Sequence, residues 1–126
     1  MSSYIAGSCN IGPQEIRRRQ AVALLGLVLT VISLVGLIRI SASPSARLGI
    51  FFPTLIFSIG YIQARSKFCL AYGFLGTFNL GKLGDLSKVS SKEDKAADRK
   101  TALKILAKAI TLAAFITLLV VLLPIS

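Results

Sequence analysis

The chain has no histidine and no tryptophan, only two cysteines and one methionine, and five acidic residues among its 126. Each shortage excludes something. Histidine is the commonest metal ligand and the side chain that most readily moves a proton near neutral pH. Its absence removes most zinc, haem and catalytic-triad arrangements built from this chain alone. The chain is therefore expected not to be an enzyme and to hold no metal and no cofactor. Charge is scarce too: 16% of residues are charged, against roughly 25% in soluble domains. With 54% apolar residues and a mean hydropathy of +0.74, a chain this short has too few polar residues to coat its apolar ones. A single membrane domain over residues 1–126 is expected.

What is plentiful is uncharged apolar sequence, and it comes in runs. Residues 21–38 (AVALLGLVLTVISLVGLI) are 18 without a charge; at about 1.5 Å per residue they reach about 27 Å, close to a hydrocarbon core of roughly 30 Å. Pro13 suits a first helical position, and Glu15 suits the first turn, where the helix dipole favours anions, so this helix is expected to begin near Pro13. Gly26 and Gly36 are ten residues apart, which is not the four-residue spacing of a close helix pair. Thr30 and Ser33 can bond back to their own backbone, and Arg39 can snorkel outward. Ser41-Ala42-Ser43-Pro44-Ser45 reads as a turn. A second run, 48–62, becomes a crossing at 46–64 if Arg47 and Arg65 snorkel from opposite ends, and the short connection makes the two helices an antiparallel hairpin. Pro53 is expected to kink the second helix as packed geometry rather than as a gate. A third run, 109–125 (AITLAAFITLLVVLLPI), carries small residues Thr111, Ala113, Ala114 and Thr117 for close approach to the hairpin and ends near Pro124.

Between the second and third runs, residues 68–80 form an uncharged stretch bracketed by Lys67 and Lys82. It is too short to cross and too apolar for water. Phe68, Tyr72, Phe74 and Phe78 are expected at headgroup depth, and Gly73, Gly76 and Gly81 permit close backbone approach. Phe68, Tyr72, Gly73, Gly76 and Phe78 are thus the candidate helix-contact or partner interface. Two arrangements stay open: an interfacial or re-entrant segment, or one long kinked helix over 48–80. Residues 84–108 read as a basic amphipathic helix feeding the third span. Ser90, Ser91 or Asp94 can cap this helix, Ser91 with Asp94 resembles a capping box, and Glu93, Asp94 and Asp98 can pair with basic residues four positions on. The expected fold is all-α, a helical hairpin plus a third transmembrane helix, with an interfacial and amphipathic region at 65–108.

The net charge of +10, from fifteen basic and five acidic residues, would point to nucleic acid in a soluble protein. Here it reads as a topological signal and a contact to anionic lipid, with no nucleic acid expected. The candidate headgroup residues are Arg17, Arg18, Arg19, Arg65, Lys67, Lys95, Arg99, Lys100, Lys104 and Lys108. Placing 1–20 and 63–108 on one side gathers thirteen of the fifteen basic residues there, leaving only Arg39 and Arg47 opposite. The expected protein is multi-pass in the inner membrane with a cytoplasmic N-terminus. Both cysteines then face the reducing side, which disfavours a disulfide. Ala6-Gly7-Ser8-Cys9 lacks the basic and apolar stretches that precede a lipoprotein cleavage site. Cys9 and Cys69 are expected to pack as small side chains, to carry a redox or persulfide thiol, or to join an intermolecular metal site. Cys69 is the better candidate for a reactive thiol, because Arg65 and Lys67 stand close in sequence and cations favour a thiolate.

The order Asn10-Ile11-Gly12, then arginines, an apolar helix, a second helix and Phe68-Cys69-Leu70-Ala71-Tyr72 resembles the small two-helix bacterial inner-membrane domain found alone or fused to rhodanese domains. That family carries an N-(I/V)-G start, an arginine before its first helix and an F-C-P-L-Y element after its second. The resemblance covers residues 9–76, lacks the proline after Cys69 and leaves the third helix outside. It implies a helical hairpin able to self-associate, with no enzymatic residue to carry over. Three functions are open: an accessory or structural subunit packing against a larger membrane complex or copies of itself; a thiol- or sulfur-handling membrane protein using Cys69; and an oligomeric channel. The channel ranks last, because no charged residue lies inside the apolar runs.

Overall fold

The computed structural model describes residues 4–81 and 86–124; Lys82 and Ile125, counted above in the basic flank and the third run, lie outside them. Helix α1 spans Pro13–Arg39, with Pro13 at its first position behind Gly12 and Glu15 in its first turn. It closes through Ser41, in the left-handed region at φ 49. Ala42 N–H donates to Leu37 O at 3.0 Å and Ser41 N–H to Ile38 O at 3.1 Å, which satisfies the last carbonyls and turns the chain back. The return comprises α2 (Pro44–Arg47), a 3₁₀ turn (Leu48–Ile50) and α3 (Phe51–Ser66). The irregularity expected at Pro53 lies just upstream of it. Pro53 is the third residue of α3 and has no N–H for the carbonyl of Gly49, and the turn before it tightens.

Helix α3 stops at Lys67, which is left-handed at φ 55, ψ 39. Phe68 N–H donates to Gln63 O at 3.1 Å and Lys67 N–H to Ala64 O at 3.4 Å, the same closure that ends α1. A continuous kinked helix over 48–80 therefore does not form. The chain instead makes a short helix α4 (Leu70–Leu75), a left-handed Gly76, and a strand β1 (Thr77–Phe78) paired antiparallel with β2 (Ser87–Lys88). Two-residue strands carry too little alternation to be read from sequence. Helix α5 runs unbroken over Lys92–Val121, with Ser91 Oγ accepting from Asp94 N–H at 3.3 Å at its start. The basic amphipathic portion and the third apolar run are one rod.

The described chain is mostly helical, at 74%, and the helices of Pro13–Arg39, Pro44–Ser66 and Lys92–Val121 are each long and apolar enough to cross a membrane. By length and hydropathy these three helices fit a multi-pass membrane protein. Helix α3 packs against both α1 and α5. Its crossing with α1 is set by two glycines. A Cβ on Gly26 would collide with the Phe57 backbone, and one on Gly60 would lie 2.7 Å from Ala23 N and 2.9 Å from Arg19 O. The two backbones touch, so the pair that matters lies across the helices; Gly36 has no atom near its face. Helix α5 meets its neighbours through a stripe of Asp98, Ala102, Ile105, Ala109, Ala113, Thr117 and Val120. Thr111 and Ala114, expected in that contact, are exposed. Along α1 only Glu15, Ala23 and Gly26 are buried, while Leu24, Leu25, Val28, Val31, Ile32 and Val35 are exposed.

Candidate functional site

The residues before α1 form a strap across the ends of α3, α4 and α5. Ile5 and Cys9 exchange backbone hydrogen bonds at 2.9 Å around Gly7, which sits at φ 72. Asn10 then pins the strap to the α3–α4 connection. Its side-chain amide donates to Cys69 O at 3.1 Å and accepts from Cys69 N–H at 2.7 Å. Its backbone N–H reaches Lys67 O at 3.2 Å and its carbonyl accepts from Asn79 N–H at 2.9 Å. Asn10 is fully buried, and its side chain satisfies the backbone of Cys69 in full, as buried polar groups require.

Beneath the strap lies a polar cluster. Glu15 is fully buried one turn inside α1. Its Oε2 accepts from the Tyr72 hydroxyl, and Arg19 Nη2 stands 3.5 Å away. Its Oε1 has no hydrogen-bond partner among the described residues and lies 3.6 Å from Arg18 Nη1. Arg19 also donates to Cys69 Sγ at 2.9 Å and stacks 5.9 Å above the Tyr72 ring. Burial and the hydrogen bond to Glu15 raise the Tyr72 pKa above its ordinary value. A second buried carboxylate, Asp98, anchors the strap directly: it accepts from the Tyr4 hydroxyl and from Gly7 N–H, each at 2.7 Å. Thr101 Oγ1 donates to Gly7 O at 2.7 Å, and the Tyr4 ring stacks on Phe78 at 4.6 Å. Burial first, then the bond to Asp98, raises the Tyr4 pKa.

At the other end of the bundle, Arg47 is 1% exposed. Its Nε donates to Ala42 O at 3.0 Å, and its Nη1 donates to Val121 O and Leu123 O at 2.8 Å and to Val120 O at 3.4 Å. A cation is favoured there by the partial negative charge of the α5 C-terminus. Nη2 has no hydrogen-bond partner among the described residues.

Several expected placements change. Arg47 lies inside the second candidate span and turns inward instead of snorkelling, because the carbonyls at the end of α5 accept its donors. Asp98 faces the strap rather than a basic residue one turn on. Arg19 is drawn from the headgroup set into the Glu15 cluster, with only 12% of its side chain exposed, and it, not Arg65 or Lys67, is the cation on Cys69. Phe68 is fully buried against Ala102 and Ile105 rather than at headgroup depth. Tyr72, Gly73, Gly76 and Phe78 make their contacts inside the chain, with Glu15, Ala102, Lys95 and Tyr4 respectively. Arg17, Arg18, Arg65, Lys67, Lys95, Arg99, Lys100, Lys104 and Lys108 are exposed. Cys9 and Cys69 are free, buried thiols, and Cys9 Sγ lies 3.6 Å from Ile11 O.

Sequence reasoning missed Glu15, Asp98, Arg47 and Asn10 as the organising polar groups. For Glu15 a signal existed: it is the only acid in the first 84 residues and stands three and four positions before Arg18 and Arg19. No protein-family model, curated protein or solved structure matches the chain.

Proposed function

We propose that the protein is a small integral membrane protein with a structural role, an accessory subunit that packs through α1 against a larger membrane complex or against a second copy of itself. The observation that carries this reading is the imbalance among the three rods: the most apolar window of α1 is 6% buried, against 28% for each of the other two. Lipid already meets the apolarity of such a face, and a partner helix would add close side-chain packing to it. The buried polar clusters support a structural role as well, since their hydrogen bonds run within the chain and fix the strap and helix ends. The basic flank supports an inner-membrane, N-terminus-inside orientation, because Arg47 is buried and Arg39 alone presents charge at the other end.

Photo-crosslinking tests it. A crosslinker placed at Val28 or Val31 is expected to give a discrete protein adduct, whereas the same group at Arg99 gives none. Chain that stays monomeric in lipid nanodiscs, with lipid-only adducts at Val28 and Val31, overturns the reading.

A thiol-handling role is the second reading, favoured by the Arg19 guanidinium at 2.9 Å from Cys69 Sγ. It requires access to a sulfur whose residue is 2% exposed. Alkylation of Cys69 in folded protein as fast as in denaturant supports it, and alkylation only on unfolding removes it.

A further inference from the structure

A groove of about 370 Å³ opens between α1 and α3 where their apolar runs meet the charged flank, roofed by the start of α4. Its volume falls at the small end of ligand sites, which run roughly 300–1,000 Å³. Arg18, Arg19 and Gln63 line its upper part, and Val22, Ile59 and Leu70 line the rest. The spacing makes this polarity gradient regular. Val22 follows Arg18 by four residues on α1, and Ile59 precedes Gln63 by four on the antiparallel α3, so each polar side chain sits one helical turn from an apolar one on the same face. Donors remain in the upper part: 57% of the Arg18 side chain is exposed and its ion pair to Glu15 is long at 3.6 Å. Arg19 spends a single amino group, Nη2, on both Glu15 and Cys69.

We infer that this groove holds one anionic phospholipid, with its phosphate on the Arg18 and Arg19 guanidinium groups and an acyl chain along Val22 and Ile59. Planar guanidinium forks match phosphate oxygens, and the partly dehydrated setting strengthens that bond. Two guanidinium groups, Arg18 and Arg19, stand there against one carboxylate, Glu15, with the Tyr72 hydroxyl and the Cys69 sulfur beside it, which suits the headgroup end to an anion. The inference rests on the membrane reading, and it names a discrete site where the exposed cations of α5 offer only diffuse attraction.

The test uses full-length protein reconstituted in vesicles of equal phosphatidylglycerol and phosphatidylcholine, extracted in mild detergent and weighed by native mass spectrometry. One retained phosphatidylglycerol per chain is expected. Arg18→Gln is expected to lower its occupancy about tenfold, the scale of one charge-assisted hydrogen bond, and Ile59→Trp to lower it by obstruction. Arg17→Gln, which alters an exposed arginine outside the groove, should leave it unchanged. Equal losses from Arg17→Gln and Arg18→Gln, equal retention of phosphatidylcholine, or displacement of the bound lipid by inorganic phosphate alone would each overturn the site. Failure of the protein to float with vesicles after alkaline wash overturns the membrane reading itself, a separate result.

Discussion

At the end of the bundle where α1 turns into α2, one side chain ties three segments: Arg47 donates to the carbonyl before α2 and to three carbonyls at the end of α5. At the end under the strap, the same task is spread over Asn10, Glu15, Tyr72, Asp98, Tyr4 and Thr101. Among the described residues, the charge at the first end meets backbone carbonyls alone. The second has two carboxylates met by neutral hydroxyl and amide donors and by arginines. A single multidentate donor concentrates the loss in one position, whereas a network distributes it. The two ends should therefore respond differently to mutation and to pH.

Arg47→Met should have the largest effect. It takes the guanidinium from the carbonyls of Ala42, Val121 and Leu123 together, at about 1–3 kcal/mol for each buried group left unsatisfied. The check is thermal unfolding in detergent, and Arg47→Lys should recover part of the loss, since an ammonium can replace Nη1 on the α5 carbonyls but not Nε on Ala42 O. Asp98→Ala should cost less, roughly 1–3 kcal/mol for the unpaired donors of Tyr4 and Gly7, and hydrogen exchange should rise over residues 4–12 while residues 116–121 stay protected.

Alkaline titration separates the ends without mutation. Tyr4 and Tyr72 have folded pKa values raised above the ordinary value near 10. Their contribution is fully present below that value and is lost as pH rises through the folded values. Tyrosinate absorbance should show two late-titrating tyrosines, and the strap should loosen with them while the Arg47 end, which contains neither tyrosine, holds. Tyr4→Phe is the mildest change, about 1 kcal/mol for one exchanged hydrogen bond. It should shift the alkaline transition of the strap more than the midpoint of global unfolding.

Much of the fold was legible because its determinants are local. Pro13 opens α1, Ser91 caps α5, and the apolar runs locate all three rods. The hairpin followed from the short connection at 41–45. The end of α3 was harder, because a lysine occupies the left-handed position where glycine is the usual marker. The candidate site was scarcely legible. Glu15, Asp98 and Arg47 read as surface charges by their neighbours in sequence; Cys69 was singled out with the wrong cation beside it, and Arg18, Arg19 and Tyr72 were singled out for headgroup or partner contacts rather than for one another.

Run length, capping residues and charge distribution settled by themselves that three helices could cross a bilayer and which flanks are basic, since each depends on residues within a few turns of one another. Which charges are buried was decided only by the tertiary structure. The partners of Glu15, Arg47 and Asp98 lie up to 57, 76 and 94 residues away in sequence. A charge can leave water only where the folded chain delivers donors or acceptors to meet it.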